Sequence, residues 1–157
     1  DLIYDPEAAK ISGITKEMCE KEGRDIKEVF KEICAFLSKY KSGSQLPSLV
    51  GHNIIKFDIE FIEGLFEFHK TDILKYTKDE LEDTIVWARK KWVESPGYNL
   101  GQCCINAKLD LVQAHRALHD TIATAKLFIS FMNSLRNNIS SVGEVKEVKR
   151  FRETFQF

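Results

Sequence analysis

Three side chains in this 157-residue sequence are of the types that activate water: Asp58 in "GHNIIKFDIEFI", and His115 and Asp120 in "HRALHDTIATAKLF". His115 and Asp120 are five residues apart. Within one helix they would lie about 140° apart and share no face. With His115 in the preceding loop and Asp120 in the first helical turn, the imidazole can instead reach over the carboxylate. That layout suits a metal-bound water and its base. Asp58 could supply a second ligand to the same cation, and carboxylate oxygens suit Mg²⁺ or Mn²⁺ rather than zinc. The plain alternative is that each aspartate caps a helix, as aspartates at helix starts usually do. His119, Asp110 and the basic run Arg89, Lys90 and Lys91 read as solvated surface.

Several elements must position these groups. Asp25 is an N-cap candidate, followed by apolar residues at Ile26, Val29, Phe30, Ile33, Cys34 and Leu37, which is the spacing of an amphipathic helix. "KSGSQLP" is a loop, and "SLVGHN" reads as a short buried strand. Phe57, Phe61, Ile62, Leu65 and Phe66 mark a second helix that starts near Asp58. Asp83-Thr84 caps a third, which runs through Trp92 and ends at "ESPG". "GYNLGQCC" suggests a short fourth. A long helix from about His119 to Leu135 is expected to bury Ile122, Ala125, Phe128, Ile129, Met132 and Leu135. In the charged tail, "VGEVKEVKRFRETFQF" fits either one helix face or two strands around a turn, and we take the strand reading. Strands alternating with helices imply an α/β layered domain with a central sheet.

Composition narrows the classes. The length suits one domain. Net charge is −1 with a pI near 6.5, so the basic face of a protein that coats long nucleic acid is missing. A nucleic-acid role would then be local, at an end or in a small pocket. Cys19, Cys34, Cys103 and Cys104 form no CxxC pair, and reduced, mostly buried thiols are expected. No apolar run approaches bilayer length, so the expected setting is the cytoplasm, with no membrane partner.

Taken together, the motifs resemble the DnaQ-like (DEDDh) 3′→5′ exonucleases, a family with an RNase H-like fold. "GHNIIKFDIEFI" looks like the family's second motif, an apolar strand followed by His-Asn and then Phe-Asp. "HRALHDTIATAKLF" looks like its third, with Asp five after His and then Ala-Thr-Ala. "DTIVWARKKW" and "GYNLGQCC" are similar to its connecting helices, and "DPEAAKISGITKEM" to the segment leading into its first helix. The resemblance runs from about Asp5 to Phe131. It implies an RNase H-like mixed sheet flanked by helices, with residues 1–135 as the exonuclease domain. The tail, 136–157, would be a strand pair of that domain.

The same resemblance implies the chemistry. Asp58 and Asp120 fall where the family has metal-binding carboxylates, and His115 where it has its general base. Ile11, His52, Asn53 and Phe57 match positions lining the terminal-nucleotide pocket. The implied reaction is two-metal hydrolysis of the 3′-terminal phosphodiester of DNA or RNA, releasing nucleoside 5′-monophosphates. Mg²⁺ or Mn²⁺ would be the cofactor and a nucleic-acid 3′ end the substrate. A DNA polymerase subunit is the implied partner, as in the proofreading type. One departure stands out: the family's Asp-x-Glu first motif has no counterpart, so two of four carboxylates and the first strand are missing. Three explanations are compatible with this: a fragment of a longer exonuclease, a rearranged or complementing piece, and a non-catalytic relative that binds nucleic acid or acts as a scaffold.

Overall fold

The computed structural model describes residues 6–110 and 117–137. Seven helices and two short strands are found there: α1 (Pro6–Ser12), α2 (Lys16–Glu22), α3 (Ile26–Lys39), β1 (Val50–Gly51), α4 (Asp58–Phe68), β2 (Glu82–Asp83), α5 (Thr84–Lys91), α6 (Leu100–Asn106) and α7 (Ala117–Asn137). The tail beyond residue 137, with its expected strand pair, lies outside the described residues.

Capping decides most helix starts. Thr15 Oγ1 accepts from Met18 N at α2, and Asp25 accepts from the Lys27 and Glu28 amides at α3. Asp83 accepts from Ile85 N at α5, and Asn99 from Gln102 N at α6. Each satisfies amides that have no partner inside the helix.

The sheet is small. β1 and β2 run parallel, with Val50 opposite Glu82 and Gly51 opposite Asp83, and Glu82 N donates to Leu49 O at 2.9 Å. A parallel pair needs a crossover, here supplied by α4 and the short 3₁₀ turn at Ile73–Lys75. The expected buried strand at "SLVGHN" is corrected to two residues with Val50 exposed. Gly51 is required by close approach, because a Cβ there would overlap the Ile54 side chain.

The core forms where α7 packs on α5 and α6. Trp87, Ala88, Cys103, Leu127 and Phe131 make its buried centre, flanked by Trp92, Tyr98 and Phe128. The Trp87 and Phe131 rings stack with centroids 6.2 Å apart, and the Trp87 indole donates to Glu82. A second aromatic cluster links α3 to α4, with Phe30 edge-on to Phe66 at 5.0 Å and stacked on His69 at 4.1 Å.

The buried face of α7 differs from expectation. Ala123, Thr124, Leu127 and Phe131 are buried, whereas Ile122, Ala125 and Ile129 are exposed. Ala123 and Thr124 are small, which lets α7 lie close against β1, and that approach sets the rotation of the helix in place of side-chain size. The thiols also divide: Cys103 and Cys104 are buried, Cys34 half-buried and Cys19 exposed.

Candidate functional site

Asp58 and Asp120 come from helices far apart in sequence and line one cleft of about 880 Å³. Its floor is β1 and His52, one wall is the start of α4 with Phe57, and the other is α7 through Ala117, Thr121 and Thr124. The start of α6 closes one end.

Neither aspartate occupies the N-cap position of its helix. The N-cap of α4 is Phe57, which makes no side-chain bond to the helix, and Asp58 is the first helical residue. Its carboxylate is exposed and accepts no hydrogen bond among the described residues. Asp120 sits in the first turn of α7, half-buried, three residues after the helix begins. Its charge reaches α6: burial pushes the Cys104 thiol up, and the neighbouring Asp120 carboxylate adds to that rise. Both carboxylates also lie at helix N-terminal ends, where the backbone dipole favours negative charge.

His52 plays a different part. Its Nδ1 is 2.8 Å from Thr84 Oγ1, and its Nε2 is 2.9 Å from the Tyr98 carbonyl. A carbonyl only accepts, so Nε2 carries a proton and donates. Thr84 has one hydroxyl proton and two acceptors in reach, His52 Nδ1 and Gly51 O at 3.0 Å. Burial lowers the His52 pKa, against the opposing pull of the Tyr98 carbonyl and the Asp83 charge. The neutral ring is therefore favoured, and the single Thr84 hydroxyl proton serves either Gly51 O or His52 Nδ1. His52 ties the end of β1 to the start of α5 and the loop before α6 while its side chain lines the cleft.

The remaining sequence candidates separate. Phe57 lines the cleft, 59% exposed, with its ring 5.3 Å from Phe61. Asn53 is not among the residues lining that cleft; its backbone, in the left-handed region at φ 70°, turns the chain out of β1. Ile11 falls in α1, and its side chain, like His115 as a whole, lies outside the described residues. His119 is corrected from solvated surface: it is half-buried, and its Nδ1 has no partner among the described residues. Arg89, Lys90 and Lys91 are exposed as expected. Sequence reading missed Asp83, Thr84 and Tyr98 as parts of the frame, although Asp83-Thr84 stood out as a cap.

Among the described residues no group of three or more His, Cys, Asp or Glu side chains gathers as a metal site. What the cleft offers is two carboxylates, a donor set with the hardness that Mg²⁺ and Mn²⁺ require. No helix among the described residues is long and apolar enough to cross a membrane.

A cleft lined by two helix-borne carboxylates is the kind of site at which a nuclease handles phosphate. Comparison with known proteins gives the class: residues 3–128 match the RNase T exonuclease family, and the chain belongs to it. Membership implies an RNase H-like α/β fold, with which the helices and parallel strand pair are consistent. Similar proteins include three named DNA polymerase III PolC-type. That of Bacillus cereus is 29% identical over 126 residues, covering 80% of this chain and 8% of the relative. That of Caldanaerobacter subterraneus subsp. tengcongensis is 30% identical over 146 residues, covering 92% and 9%. That of Thermotoga petrophila is 29% identical over 143 residues, covering 90% and 10%. The chain thus spans about a tenth or less of the length of these relatives.

Proposed function

We propose that this domain is a 3′→5′ exonuclease that hydrolyses the 3′-terminal phosphodiester of DNA or RNA and releases nucleoside 5′-monophosphates. The observation that carries the reading is that Asp58 and Asp120 line one cleft, neither of them at the N-cap position of its helix. They would hold Mg²⁺ or Mn²⁺. Such cations, when bound, would supply electrostatic stabilisation of the charge that develops on the phosphodiester. His115, five residues before Asp120 in sequence, takes the proton from the attacking water, a role suited to a group that titrates near neutral pH. Phe57 at the cleft wall gives the terminal base an aromatic face, His52 lines the same cleft, and Asn53 and Ile11 are assigned to the terminal-nucleotide pocket by the family resemblance alone. The domain is taken as residues 1–135, with 136–157 as its charged tail.

The similarity to DNA polymerase III PolC-type proteins supports a polymerase as partner. The net charge of −1 agrees with an end-trimming site held on its substrate by another subunit. The test uses the native polypeptide that carries these residues and a single-stranded oligonucleotide labelled in its 3′-terminal nucleotide. Labelled 5′-monophosphate should appear first, only with Mg²⁺ or Mn²⁺, and Asp120→Ala should abolish it. Activity retained in that variant overturns the site. Affinity for 3′ ends that ignores divalent cations, with no hydrolysis, would favour a binding module instead.

A further inference from the structure

Asp83 is the only buried acid among the described residues, at 5% exposure. Its Oδ1 accepts from Asn53 N and Ile85 N, each at 2.9 Å, and its Oδ2 from Ile55 N at 3.4 Å. One of these bonds caps α5. The other two cross from β2 to the turn that leaves β1, and they hold the part of the chain leading to Asp58.

That turn is not self-sufficient. Asn53 adopts φ 70°, a left-handed conformation least disfavoured for Asn, Asp and Gly. From Asn53 the path is short and tightly bonded. Lys56 N donates to Asn53 O at 3.2 Å, Phe57 N donates to Ile54 O at 3.4 Å, and α4 begins at Asp58. The direction in which α4 departs, and with it the side of the chain from which Asp58 meets the cleft, follows from the backbone at Asn53 and Ile55. Gly51 opposite Asp83 in the ladder brings the carboxylate within reach of both amides.

We infer that Asp83 is a positioning residue for the site. Its buried carboxylate, bonded across the strand pair to the Asn53 and Ile55 amides, fixes the β1–α4 turn so that Asp58 faces Asp120 across the cleft. The inference rests on reading Asp58 as a cation ligand, but the placement of Asp58 can be measured without metal.

Asp83→Ser separates the two jobs of the carboxylate. Serine still caps α5 through Ile85 N but leaves the Asn53 and Ile55 amides without their acceptor. In ¹⁵N-labelled protein, the expected result is at least roughly tenfold faster hydrogen exchange at Asn53 and Ile55. The Asp58 amide should shift, while α7 amides from Ala123 to Phe131 keep their positions and protection. The Mn²⁺ concentration that half-broadens the Asp58 signal should rise about tenfold, the usual cost of losing a group that orients a ligand. The inference is overturned by an Asp58 amide that stays in place, by unchanged Mn²⁺ half-broadening, or by protection lost equally along α7. Should the wild type show no Mn²⁺ broadening, the cation reading fails and the Asp58 shift alone decides: a local shift supports positioning, and no shift overturns it. If the serine variant does not fold, Asp83→Asn, whose NH₂ cannot accept from Ile55 N, is read by exchange at Ile55 and by the Asp58 shift.

Discussion

Asp58 and Asp83 are the same residue type at neighbouring helix starts, and the structure uses them in opposite ways. Asp83 is buried and accepts three backbone amides, a carboxylate given wholly to the frame. Asp58 is exposed at the cleft wall and caps nothing. Asp58, exposed in the first turn of its helix, makes no hydrogen bond to the fold among the described residues. The contrast teaches that helix-start position alone does not assign an aspartate's role.

The contrast breaks most sharply under substitution. Asp58→Ala should lower release of 5′-monophosphates in the native polypeptide by several kcal/mol of transition-state stabilisation, at least about 10²-fold. Its effect on unfolding free energy should stay within about 0.5 kcal/mol, read from denaturant midpoints. Asp83→Ala should do the reverse to stability, costing roughly 3 kcal/mol because three backbone amides lose a buried charged acceptor. Equal destabilisation by the two variants would erase the distinction. Gly51→Ala comes next: its Cβ would press on Ile54, an overpacking that costs about 1–3 kcal/mol and shifts the same midpoint.

A smaller effect follows from His52. Its folded pKa is lowered, first by burial, so the folded state resists a proton that the unfolded state accepts near the ordinary value of 6.5. The contribution is therefore fully present above that pH and is lost as pH falls through the folded pKa. His52→Gln should flatten the acid side of the stability profile. Smallest is a labelling pattern. Burial, then the neighbouring Cys104, pushes Cys103 up to about 11, so in native protein at neutral pH iodoacetamide should modify the exposed Cys19 well before Cys103. Mass spectrometry of the peptides checks the order.

What could be read in the sequence follows from what leaves a local signature. The caps at Asp25 and Asp83 and the helix after Asn99 are local chemistry, and each stands where expected. β2 escaped because two residues show no alternation. The face of α7 was misplaced because Ile122 and Ile129 look like core residues, whereas the small Ala123 and Thr124 make the close contact. At the site, Asp58 and Asp120 were legible through their neighbours, and the structure places both on one cleft. The partners of Asp83 were not legible, since backbone amides from positions 53 and 55 have no side-chain signature.

The most direct test of the central claim, that Asp58 and Asp120 hold the same cation, is a calorimetric titration with Mn²⁺. Wild type, Asp58→Asn and Asp120→Asn would be compared under conditions where all three are folded. Each single variant should weaken binding at least about tenfold, and the double variant should lose little more than either, because the two carboxylates share one site. Wild-type affinity in either single variant would contradict the account.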